Sequence, residues 1–107
     1  MRSLKKEEIP LVSFMIQKAG LDIDVQNLKA ESMKDGGMGS LHFFTDTKDP
    51  KFGGSVAEYE FKDEDDIPVF VTLMVDQNGE IFELDMFKGD FSPLIAWPNP
   101  YPKSSAT

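Results

Sequence analysis

The spacing of apolar positions changes once along this chain. In SLKKEEIPLVSFMIQKAGL, Val12, Met15, Ile16 and Ala19 recur at helical spacing, Leu11 and Phe14 widen the stripe, and Ser13 and Gln17 fall opposite. The pattern predicts one amphipathic helix over about residues 6–19. Pro10 lacks an N–H and belongs in a first turn, while Gly20 is the natural stop because only glycine enters the left-handed region freely.

After Gly20 the period is two. IPVFVTLMV sets Ile67, Val69, Val71, Leu73 and Val75 on one face and Phe70, Thr72 and Met74 on the other, which predicts a central strand over 67–76. Both faces are apolar, so the helix is expected over one and a loop, the C-terminal segment or a partner over the other. EIFELDMF predicts a strand over 80–88, with Phe82, Leu84 and Met86 against Ile81, Glu83, Asp85 and Phe87. DQNGE between the two carries Asn-Gly, the strongest short hairpin signal, because both residues tolerate positive φ. SVAEYEFK predicts a strand over 55–62, with Ala57, Tyr59 and Phe61 on one face, joined to the central strand by the turn DEDD. Weaker alternation predicts strands over 27–34 and 40–45, DTKDPKFGG reads as a loop, and there is no internal repeat.

The prolines of SPLIAWPNPYPKSSAT forbid a central strand in the segment 89–107, and its last small, polar residues are expected to be disordered. The resulting expectation is a single α+β domain over 1–107: an N-terminal helix packed on an antiparallel sheet of about five strands in meander order, since sequential hairpins give that topology most simply.

Composition narrows the chemistry. With 107 residues, 40% of them hydrophobic and nine phenylalanines, the chain can bury one core. A net charge of −8 repels phosphate backbones and anionic head groups, so nucleic acid and membranes are poor partners. No signal-like leader and no spanning apolar run is found, which leads to the expectation of a cytoplasmic protein. The absence of cysteine removes disulfides, thiolate nucleophiles and Cys-based metal sites, and the sequence points to no cofactor.

Four stretches look chemical and are better explained structurally. DGGMGS lacks the lysine and the following helix of a phosphate-binding loop, so it reads as a hairpin loop with glycines at positive φ. Asp63-Glu64-Asp65-Asp66 lacks the alternating ligands, glycine and distant glutamate of a calcium loop and reads as a solvated turn. His42, the single histidine, reads as a half-buried, hydrogen-bonded strand residue. Glu83 and Asp85 share a strand face, a pairing that glycosidases and metal hydrolases use but that solvent-facing strands show far more often.

The unusual stretch is MFKGDFSPLIAWPNPYP, which gathers Phe87, Phe91, Leu94, Ile95, Trp97 and Tyr101 among prolines. Either it folds over the second face of the sheet and completes the core with Trp97 as anchor, or part of it stays exposed for a partner or a second copy of the chain.

The helix end KAGL, then DGGMGSL, FGG with AEYEFKDEDDIPV, and DQNGEIFELDMFKGDFSPLIAWP together resemble a family of small bacterial proteins described only as a domain of unknown function. The resemblance covers nearly the whole chain and implies a small bacterial cytosolic protein. It assigns no catalytic residue.

Small size, acidity and the lack of a convergent catalytic set lead to the expectation of a non-enzymatic protein-binding module, immunity- or inhibitor-like, whose partner is another, basic protein or a second copy. The alternative is a small-ligand binder or enzyme with a pocket between the sheet and the C-terminal segment. The candidate surface residues are Glu83, Asp85, Lys88, Asp90 and Trp97.

Overall fold

A computed structural model describes residues 1–101. The expected disorder of the last residues concerns positions 102–107, which lie outside the described residues. A two-residue strand, β1 (Arg2–Ser3), precedes the helix α1 (Ile9–Lys18), and a 3-10 turn over Val25–Asn27 follows it. Then come β2 (Lys29–Ser32), β3 (Leu41–Phe44), β4 (Phe52–Lys62), β5 (Pro68–Asp76) and β6 (Ile81–Lys88).

The helix buries Leu11, Val12, Met15 and Ile16, as its periodicity predicts, and Pro10 occupies its first turn. It starts later than expected because Glu8 is committed elsewhere. The Glu8 carboxylate is buried, accepts the Lys5 N–H at 2.8 Å and holds the Arg2 guanidinium at 2.8 and 3.0 Å. That pair ties the approach to α1 onto β1, which pairs with β2 through Arg2 opposite Ala30 and Ser3 opposite Lys29. Two residues are too few to show a period, so this sixth strand left no pattern in the sequence.

All six strands form one antiparallel sheet in the order β1-β2-β3-β6-β5-β4. This corrects the expected meander. Strand β3 pairs with β6, Leu41 opposite Leu84 and His42 opposite Glu83, while the connection 45–51 carries the chain past β6 and β5 to start β4 at the far edge. Burial explains the choice. The apolar β5 and β6 are shielded by neighbours on both sides, whereas β4, with Gly53, Gly54, Glu58 and Glu60, tolerates an edge.

One face of the sheet is packed. Leu41, Leu84, Leu73 and Ala57 form one row across four strands, joined by Phe43, Ala30, Val69, Val71, Ile81 and Met86. The β6 alternation departs from expectation at its start. Val75 opposes Ile81 and Met74 opposes Glu83, so Phe82 is an extra residue that turns Ile81 inward with Leu84 and Met86.

From Leu94 on, the C-terminal segment covers this same face, beside the helix, and not the second face. Leu94 and Trp97 pack on the core, the Tyr101 hydroxyl lies 3.1 Å from Gln17 Oε1, and its ring meets Phe14 at 5.8 Å. Gly37 and Gly39, at φ 81° and 107°, let the 35–40 loop pass under it. A Cβ on Gly39 would stand 3.3 Å from Trp97 and 3.1 Å from Met86 Sδ. Among the described residues no helix is long and apolar enough to cross a membrane.

Candidate functional site

The five candidate residues divide between the two faces and do not converge on a pocket. Glu83 and Asp85 stand on the outer face of β6, Asp85 exposed. Asp90 is exposed in the turn beyond, where its carboxylate accepts from the Ser92 N–H and hydroxyl and lies below its ordinary pKa through those bonds. Trp97 is half-buried on the inner face.

Lys88 is the exception that sequence reasoning misplaced. It is fully buried, with its ammonium 2.9 Å from Asp63, 2.6 Å from Asp65 and 3.3 Å from the Pro93 carbonyl. The turn read as solvated is therefore half of an ion cluster, and the Asp63 side chain has no exposed surface. Burial alone would raise the Asp63 carboxyl; the N–H of Ile95, the Lys88 ammonium and the N–H groups of Glu64 and Ala96 outweigh it and lower the pKa to about 2. Burial alone would likewise depress Lys88, and its bonds to Asp65 and Asp63 instead hold it above its ordinary value. With 2.8 and 3.1 Å bonds to Ile95 and Ala96, Asp63 fastens the C-terminal segment to the sheet. The signal was in the period. Lys88 shares its parity with Leu84 and Met86, so it points inward, and a buried lysine requires carboxylates nearby.

The glycine loop also has an occupant of its own. The Asp35 carboxylate accepts the N–H groups of Met38 at 3.1 Å and Ser40 at 2.9 Å. Burial raises its pKa, and the bonds from Ser40, Met38 and Gly39 more than reverse this. A loop already filled by its own anion offers no cradle to a phosphate. Beneath the C-terminal segment lies a hollow of about 150 Å³ beside Glu8, Asp35, Ser40 and Trp97. It is below the roughly 300 Å³ of ordinary ligand sites. Its carboxylates are spent on Arg2 and on main-chain N–H groups, and the Ser40 hydroxyl accepts the Met86 N–H at 2.9 Å. Among the described residues no three histidine or acidic side chains are grouped to hold a metal.

The outer face is different in kind. Register places Glu58, Thr72 and Asp85 in one row and Glu60, Phe70 and Phe87 in the next. A third row runs through Ser55, Met74, Glu83, His42 and Glu31. Phe70 is 44% exposed, Phe87 40% and Phe91 67%, and Phe87 meets the other two rings at 6.4 and 5.0 Å. His42 is half-buried between Phe44 and Phe82, as far as burial was expected. Its Nδ1 stands 3.9 Å from Glu83, however, which is contact and not a hydrogen bond. Among the described residues, the basic side chains that register puts on this face are Lys29 on β2 and Lys62 at the end of β4. The outer face therefore presents an aromatic cluster set among carboxylates.

No curated protein and no solved structure matches the chain. Residues 1–98 match a family model, and the chain belongs to that family, the domain of unknown function DUF6984.

Proposed function

We propose that this member of a family without assigned activity is a non-enzymatic protein-binding module that receives a basic surface of another protein on the outer face of its sheet, as an inhibitor or immunity-type protein does. The observation that carries the proposal is the Phe70, Phe87 and Phe91 cluster exposed beside Glu58, Glu60, Glu83 and Asp85. Aromatic anchors supply the apolar area that association needs, and surrounding charge of one sign steers an oppositely charged partner and speeds the encounter. A second copy of the chain is the poorer occupant, because two such faces on chains of charge −8 repel. For the small-ligand alternative, the hollow between the sheet and the C-terminal segment by Trp97 is narrow and its polar groups are already paired. The setting we propose for the encounter is a bacterial cytoplasm.

The test is comparative capture from a bacterial lysate at low and physiological salt, using the wild type, Phe70→Ser with Phe87→Ser, and Glu58→Gln with Glu60→Gln. A basic protein retained by the wild type, released by salt and lost with both variants is the expected outcome. Retention of the same proteins by all three chains would overturn the proposal.

A further inference from the structure

We infer that the partner docks by adding an extended basic segment as a seventh strand along the free edge of β4; this rests on the basic-partner proposal above and specifies its geometry. Strand β4 ends the sheet order, and β5 is its only strand neighbour among the described residues. One edge of an eleven-residue strand thus presents main-chain donors and acceptors to an incoming chain. Register shifts at Gly53 and Val56 interrupt its first half, which leaves Ala57–Lys62 as the regular template.

The two sides of that edge ask for different residues. On the outer side stand Glu58 and Glu60, both exposed. On the inner side Tyr59 and Phe61, half-buried, stack at 6.2 Å with Phe14 closing on Tyr59 at 4.9 Å, so the core's aromatic rim stops where the sheet stops. Shallow grooves run along the edge from Ser55 to Glu60, with Lys18 of the last helical turn beside them. An added strand that alternates lysine or arginine with apolar residues meets both demands. Its cations face Glu58 and Glu60, its apolar side chains extend the rim, and Lys18 disfavours the opposite phase. Another β4 does not fit, since antiparallel pairing centred on Tyr59 sets Glu58 against Glu60. The charges that protect this edge from self-pairing are the ones that select a basic strand.

The experiment uses the full chain and three synthetic heptapeptides: Ac-KVKVKVK-NH2, the same peptide with its backbone nitrogens methylated, and Ac-EVEVEVE-NH2. Calorimetry reads affinity and amide hydrogen exchange reads location. The lysine peptide is expected to bind and to slow exchange within Ala57–Lys62. Methylation should weaken it about tenfold or more, because the strand hydrogen bonds are lost while charge is kept. The glutamate peptide should not bind the wild type and should bind Glu58→Lys with Glu60→Lys. Equal binding of the methylated peptide, or protection confined to residues outside β4, would refute strand addition while leaving charge attraction to the outer face intact. Failure of the lysine peptide to bind would also refute it. Failure of the outer-face proposal is read separately, from capture that the Phe70 and Phe87 substitutions do not change.

Discussion

The two faces of this sheet come from the same alternating strands and have opposite fates. The inner face receives α1, the 35–40 loop and the C-terminal segment, and Leu41, Phe43, Leu73 and Leu84 there are essentially inaccessible to water. The outer face receives only Phe91 of the C-terminal segment among the described residues, although Phe70, Met74, Phe87 and Phe44 would support a second layer. The difference shows that the apolar residues in the chain's pattern exceed what its own layers cover. A strand with two apolar faces needs two covers, and here the described residues supply one.

The largest expected break in this comparison is on the covered side. Phe43→Ala should cost about 3–5 kcal/mol, as for other enclosed aromatics, because the cavity cannot collapse against the neighbouring Leu41 and Leu84. Chemical denaturation with an unchanged m-value is the check. Next comes the ion cluster. Asp63→Asn leaves the buried Lys88 with Asp65 alone and weakens the grip on Ile95 and Ala96, for a loss near the lower end of the 3–5 kcal/mol seen when a buried pair is broken, about 3 kcal/mol. The pH dependence separates this from a packing defect. The Asp63 carboxyl titrates at about 2, below its ordinary 3.8, so its contribution is whole above pH 3.8 and is lost as pH falls toward 2. Stability of the wild type should therefore drop more steeply over that window than stability of Asp63→Asn. Parallel curves would mean that folding does not lower the Asp63 pKa.

Trp97→Ala comes third. Trp97 is half-buried, so the expected loss is about 2 kcal/mol, less than for a fully enclosed aromatic. With the segment still pinned by Asp63, the variant should stay folded. If it instead kept full stability and lost only association, Trp97 would belong to an interface and not to the inner cover.

How much of this was legible in the sequence depends on the scale of the signal. The helix stripe and the alternation of β5 were clear because each repeats over several residues, and Ala57, Tyr59 and Phe61 turn inward as their spacing implies. Strand order was not legible, since alternation fixes which side of a strand is apolar and says nothing about its neighbour. Pairing β3 with β6 rests on long-range burial that no local pattern encodes. A single inserted residue, Phe82, was enough to reverse the facing of Ile81. The candidate surface was half legible: Glu83 and Asp85 lie outward as expected, whereas Lys88 was grouped with them by charge although its parity sets it with Leu84 and Met86. Phe70 was visible on a second apolar face of β5 and Phe87 on the mixed face of β6, but from sequence alone the C-terminal segment could have covered them.

The smallest expected effect tests the open side of the comparison directly. Phe70 and Phe87 keep less than half of their surface in water, so replacing each with serine forgoes part of an aromatic's burial but leaves no enclosed cavity. With Thr72 and Asp85 still flanking the site and water free to fill the space, the loss should stay below that of Trp97→Ala, at about 1 kcal/mol for each. For a chain of this size that corresponds to a fall in Tm of about 4–8 °C at most per site. A serine at either position also exposes a hydroxyl to water without desolvating it, so the substitution carries no polar penalty. Binding of a hydrophobic dye to the native chain should decline in the double variant, because the aromatic patch is its natural target. A loss approaching that of Phe43→Ala would show instead that these rings are structural, and that the outer face is covered within the chain itself.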